Sequence, residues 1–429
     1  MAESNKISLL DAMSIGIGGM VGGGIFAVLG LAVSLAKGGT PFAFLFAGLI
    51  ALITSYSYVK LSSAYPSQGG TVEFINRGFG ETVFSGGINN LLWVSYIIML
   101  SLYASAFGSY APNLFQIVDK ETDFHLYASG IVLLATAINY YSIQVVGKIE
   151  SIAVVIKLII LLSFVALGLY GLIGNPNLSQ LSPTQWEKPL GLLTGGMVIF
   201  VAYEGFELIA NAAPDIVHPE KNIPRAYYYS VTFVIALYIV IAAVTVGSLP
   251  FKEIYTAEDY VLAEAAKPLL GKAGFTIITI AALISTFSAI NASLYGGSRV
   301  SYDIAEDDEL PHQLTARLWN QPIGLAITSV ATLLLSNLLE IESISTAGSI
   351  GFLLIFAIVN SVGYKLSNKV KGNKTIPLLG ILLSGVSLLV LIIQQFESNK
   401  TGVIVGISLI LVCILIEWFY KKRKNEPKS

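Results

Sequence analysis

The feature that most constrains this chain is its series of long apolar runs with almost no charge. A helix needs roughly 20 apolar residues to cross the hydrocarbon core of a bilayer. Twelve runs qualify, at about 11–36, 41–65, 83–117, 126–146, 149–174, 190–216, 226–250, 272–301, 322–340, 344–367, 375–396 and 401–420. Lipid offers backbone N–H and C=O groups no partner, so a spanning segment is either a helix or a strand of a closed barrel. Barrel strands alternate apolar and polar residues over about ten positions. These runs do not alternate, so the chain reads as an all-α integral membrane protein with 12 transmembrane helices. Composition agrees. Of 429 residues, 54% are hydrophobic and 12% charged, against about 25% charged in soluble domains. The net charge of −2 points away from nucleic acid as a partner. The single cysteine, Cys413, excludes an intrachain disulfide. Only ten residues precede the first run, which is too long for a signal-peptide core, so no cleavable signal is expected.

The few charges suggest an orientation. With the N-terminus in the cytoplasm, 17 Lys and Arg residues fall on the cytoplasmic side, among them Arg77, Lys148, Lys221, Arg225, Arg299, Arg317, Lys365 and the tail Lys421, Lys422, Arg423, Lys424. Seven fall outside: Lys37, Lys120, Lys188, Lys252, Lys267, Lys272 and Lys400. That asymmetry follows the positive-inside rule and puts both termini in the cytoplasm. Between runs, residues 66–82 suit a short amphipathic helix at the inner face. The segment 302–321, with Glu306, Asp307, Asp308 and Glu309, reads as a solvated cytoplasmic turn.

Two runs are interrupted. In the first, six of the eleven residues at 16–26 are glycine. Each glycine costs a helix interior up to about 1 kcal/mol relative to alanine, and Gly22, Gly23 and Gly24 are adjacent. The same residues form two GxxxG pairs, which also suit close helix packing. The sixth run carries Glu204, Gly205 and Glu207 at mid-membrane depth, where a carboxylate costs on the order of 2.5–3.5 kcal/mol. These glutamates either brace the bundle or work in it. The sixth run comes five spans after the first, an odd offset, so the two halves have opposite topology, and paired discontinuous helices in inverted halves point to a secondary-transporter site. An outer half-helix starting near Gly24 offers free N–H groups to a carboxylate. Carbonyls near Gly19 and Ala202 suit an ammonium. Together they describe a cradle for an α-amino acid.

The motifs GGMVGGGIF at 18–26, YPSQGG at 65–70, FVAYEGFE at 200–207, PEKNIPRA at 219–226 and SRVSYDIAEDDELP at 298–311 resemble those of the amino acid–polyamine–organocation (APC) superfamily. The resemblance implies a leucine-transporter-like fold. Residues 1–174 and 175–367 would be inverted five-helix repeats with broken helices 1 and 6, and 368–429 would hold two peripheral helices and a basic tail. It also implies substrate contacts at Val21, Gly22, Gly23, Gly24 and Ile25, and at Phe200, Val201, Ala202, Tyr203, Glu204 and Gly205. Phe200 and Tyr203 are the candidate aromatic lid, with Trp93, Tyr96 and Tyr103 as weaker ones. Gly23 stands where members often have Ser or Ala, and the acidic loop departs from the usual Arg-Asp-Gly.

Lys157 lies inside the fifth run. In sodium-coupled relatives of this fold an ion bridges spans one, five and eight. A lysine in span five resembles the proton-coupled members, where an ammonium takes the ion's place. The expected partners are carbonyls near Gly19 and the hydroxyls of Ser285, Thr286 or Ser288, with Glu207 as a second proton site. A permanently charged structural pin is the alternative. The chain therefore reads as a secondary transporter of amino acids in the cell membrane, proton-coupled and sodium-independent, with no cofactor or metal. The alternatives are an amino acid or amine exchanger and a polyamine carrier. An intramembrane enzyme finds no support. His125, His218 and His312 lie in loops or at span ends, and no HExxH pair occurs.

Overall fold

The computed structural model describes residues 6–141, 143–306, 309, 315–318 and 321–425, with the backbone alone for 143–151 and 423–425. Asp307, Asp308, Leu310, Pro311 and His312 lie outside the described residues, as do the side chains of Lys148, Arg423 and Lys424.

The helices follow the apolar runs. In chain order they are α1 (Leu9–Met20), α2 (Gly24–Ala36), α3 (Thr40–Ala64), α4 (Thr71–Phe79), α5 (Val83–Tyr110) and α6 (Lys120–Tyr141). Then come α7 (Ile143–Gly171), α8 (Pro189–Val198), a 3-10 segment (Phe200–Glu207), α9 (Leu208–Ala212), α10 (Pro219–Ser248), α11 (Phe251–Thr256) and α12 (Val261–Ala265). The chain closes with α13 (Lys267–Glu306), α14 (Ile323–Leu338), α15 (Ile341–Leu366), α16 (Thr375–Ser398) and α17 (Lys400–Asn425). Among the described residues, eight helices are long and apolar enough to cross a membrane, or ten with each of two bent pairs taken as one span. The other two expected runs are helical as well. α6 begins with the charged Lys120, Glu121 and Asp123, and α14 has only 16 residues. Among the described residues the strands form one two-stranded ribbon, Arg317–Leu318 against Gln321–Pro322.

The bent pairs are those expected from sequence. α1 and α2 meet at 44° across a break of three residues, and α8 meets Phe200–Asp215 at 44°. α5 runs through the centre of the bundle, whereas α16 and α17 leave most of their apolar surface uncovered. Leu389, Ile393 and Phe419 project from them as lipid-facing side chains would.

Local chemistry sets the ends. Ser8 and Asp11 form a reciprocal capping box at the start of α1. Just before it, the backbone of Ile7 bonds Asp215 and Val217, tying the N-terminal end to the end of the sixth span. The amphipathic helix expected within 66–82 is α4. Gly70 has φ 47°, which glycine adopts at no steric cost. One expectation is corrected. Glu309 is not solvated but fully buried, and it accepts a hydrogen bond from Asn89 Nδ2. Glu306, by contrast, is exposed.

Candidate functional site

The two breaks pack directly on each other. A Cβ added to Gly205 would overlap the backbone of Gly19 and Met20, and one added to Gly24 would lie 2.9 Å from Ala202 Cα. Gly19 opposes Gly205 while Gly24 opposes Ala202, so the segments run antiparallel. Side chains cannot fit between them, which is why the facing positions Gly19, Gly24, Ala202 and Gly205 are glycine or alanine. Gly23 faces the ring of Tyr103 so closely that a Cβ would overlap it. The backbone at Gly23 is therefore covered by an aromatic ring.

Broken helices leave carbonyls without intrahelical donors. Side chains from other spans supply donors. Lys157 sits at the midpoint of α7, fully buried, and its Nζ donates to Gly18 O at 3.0 Å. Ser285 on α13 donates to Val21 O at 2.8 Å and also to Gly22 O. Tyr238 on α10 donates to Met20 O at 2.6 Å and reaches Ala202 O at 3.4 Å, bridging both breaks. On the sixth span, Ser345 and Ser349 of α15 donate to Val198 O at 2.7 and 2.8 Å, and Val201 N donates to Ser349 Oγ at 3.1 Å. Of the expected hydroxyls, Thr286 donates within its own helix to Ala282 O at 2.7 Å. Ser288 is buried on the same helix. Sequence reasoning missed Tyr238, Ser345 and Ser349. Their signal was faint, being lone hydroxyls in apolar runs.

The two glutamates of the 3-10 segment differ in surroundings. Glu207 is caged by hydroxyls. Tyr96 donates to its Oε1 at 2.7 Å, and Thr71 and Tyr58 donate to its Oε2 at 2.9 and 3.2 Å. Thr71 is the first residue of α4, so the turn at YPSQGG delivers a ligand to the sixth span. Glu204 is equally buried, yet its Oε2 has no hydrogen-bond partner among the described residues.

A cavity of about 730 Å³ opens at the face that carries both termini. Ile7, Asp215, Arg299, Asp303 and Arg317 line its mouth, and Gly18, Gly19, Tyr103, Glu204, Ala289 and Ser293 its deep end. The opposite face is sealed. α2 packs against the loop at Glu258, whose carbonyl a Cβ on Gly30 would strike, and Ser34 Oγ donates to Glu258 Oε1 at 2.9 Å.

Among the expected substrate residues, Glu204 lines this cavity, while the backbones of Val21, Gly22 and Ile25 lie within the packed break. Tyr203 points elsewhere, donating to Phe44 O at 2.9 Å and packing on Tyr238. Phe200 is fully buried against Phe356. Tyr103, the weaker candidate, is the aromatic residue that lines the deep end. Trp93 instead donates its indole N–H to Thr328 at 3.0 Å.

A family model described as amino acid permease matches residues 7–419. The chain belongs to the amino acid permease family. The permease is 34% identical over 423 residues to an uncharacterized protein of Methanocaldococcus jannaschii, covering 98% of this chain and 96% of that one. It is 32% identical over 426 residues to the inner membrane transport protein YbaT of Escherichia coli, covering 99% and 98%. It is 26% identical over 324 residues to the methylthioribose transporter of Bacillus subtilis, covering 72% and 68%. The permease is thus a multi-pass membrane transporter and not an enzyme.

Proposed function

We propose that this permease moves amino acids across the cell membrane by alternating access, driven by protons and independent of sodium. The observation that carries this is the antiparallel meeting of two broken helices at the closed end of a cavity that opens to one face. The first-turn amides of α2 have no intrahelical acceptor and suit a carboxylate. The inverted-repeat arrangement, with 1–174 against 175–367, accounts for the opposed breaks. The Lys and Arg asymmetry supports cytoplasmic termini, so the cavity described here faces inward.

Lys157 is the coupling group in this reading. Its ammonium occupies the place between α7, the first break and α13 where a mobile cation would otherwise bind. Deprotonation replaces a charge-assisted hydrogen bond to Gly18 O by a weaker neutral one and loosens the first break. Substrate and proton are thereby linked through the same carbonyls, since a ligand can shift a conformational equilibrium only by binding its states differently.

The test is uptake into vesicles containing purified permease under an imposed pH gradient. Accumulation above equilibrium is expected, abolished by a protonophore and unchanged when sodium is replaced by choline. The Lys157→Ala variant is expected to lose the response to the gradient. Undiminished proton-driven accumulation in that variant overturns the assignment.

A further inference from the structure

Glu204 is a buried carboxylate that the proposed coupling does not use. It sits in the 3-10 segment Phe200–Glu207, where side chains three positions apart eclipse. Glu204 and Glu207 therefore project on the same side of the sixth span. Their needs differ. Glu207 already accepts three hydroxyl hydrogen bonds. Glu204 is 3% exposed, lines the deep end of the cavity, and has one carboxylate oxygen with no hydrogen-bond partner among the described residues. An unmet carboxylate oxygen in a buried site is costly and calls for a donor.

No donor among the described residues bonds that oxygen. The cavity's other acidic and basic lining residues, Asp215, Arg299, Asp303 and Arg317, lie toward the mouth and balance in charge. Glu204 is the one acidic or basic side chain among the described lining residues at the deep end. The volume of about 730 Å³ falls within the usual range of ligand sites and leaves room for a long side chain beside an α-amino acid backbone.

We infer that Glu204 is a specificity-determining residue and that the preferred substrates are amino acids with a cationic side chain, whose ammonium or guanidinium pairs with the carboxylate that Glu204 presents at the deep end of the cavity. This rests on the reading of the chain as an amino acid transporter. A proton is the competing occupant. It would neutralise the same carboxylate without conferring any substrate preference.

The experiment compares lysine with norleucine, which keeps the four-carbon chain and lacks the terminal ammonium. Competition against radiolabelled uptake at fixed pH gives their affinity ratio. Lysine is expected to bind about tenfold or more tightly, as a charge-assisted hydrogen bond in a desolvated site provides. Glu204→Gln should bring the ratio toward one, and Glu204→Asp should retain part of it. If the Gln variant fails to fold, the wild-type ratio and the Asp variant still decide. A wild-type ratio near one, or a ratio unaffected by Glu204→Gln, overturns the inference while amino acid transport stands. If neither compound competes while another labelled amino acid is taken up, this inference fails and the amino acid reading stands; if no amino acid is taken up, both fail.

Discussion

Single atoms decide most of what this site can be. Gly205 and Gly19 are glycines because each backbone occupies the space of the other's Cβ. Gly205→Ala is expected to destabilise the protein by about 1–3 kcal/mol, the usual range for overpacking, and to lower its melting temperature in detergent. Gly130→Ala is the control. Nothing lies within 4 Å of a Cβ there, so it should leave the melting temperature unchanged or raise it. Tyr238→Phe removes the hydroxyl that joins the two breaks. Leaving a buried carbonyl without its donor costs about 1–3 kcal/mol, and a matching fall in thermal stability should follow. The sequence could not show what either glutamate meets. Three hydroxyls around one, and none at Oε2 of the other, set them apart.

At the scale of elements, the broken ends of α1 and α8 are each held by helices from elsewhere in the chain. α15 holds the end of α8 through Ser345 and Ser349. Ser349→Ala should destabilise the sixth span, since Val201 N and Val198 O both lose a partner. A surface pair should matter far less. Lys37 Nζ lies 2.8 Å from Glu187 Oε2, tying the end of α2 to the loop before α8. The hydrogen bond from Lys37 holds the Glu187 carboxyl below its ordinary 4.5. A depressed carboxylate stabilises above its unfolded value, and that contribution is lost as pH falls through the folded one. Because the pair is exposed, Glu187→Gln at pH 7 should leave the melting temperature unchanged within error. A clear drop would mean that the loop is a stronger latch than its exposure suggests.

For the whole molecule, the cavity and the seal lie on opposite faces, the arrangement that the proposed alternating access requires of one end state. A cysteine at Ser293, on the cavity wall, should react with a membrane-impermeant thiol reagent only from the face bearing the termini. Saturating substrate should slow that reaction. The native Cys413 is buried and should give little background. Labelling from the opposite face at an equal rate would contradict the closure described here. The same measurement in inside-out and right-side-out vesicles fixes which face is cytoplasmic.

The sequence by itself determined the helical class, the approximate spans and the positions of the two breaks. Hydropathy and glycine content are properties of consecutive residues, and lipid permits almost no other backbone solution. It also placed Lys157 and Glu204 as charges out of their usual setting. Only the tertiary structure decided what those charges meet. Thr71 and Tyr96 lie 136 and 111 residues from Glu207, and no local pattern announces such pairings. The same holds for the turn of Tyr203 away from the cavity, the advance of Tyr103 into it, and the burial of Glu309. In an apolar helix every face looks alike in sequence, because lipid and protein interior are equally apolar. Which face receives a hydroxyl, a glycine backbone or an open cavity is settled by the packing of distant spans.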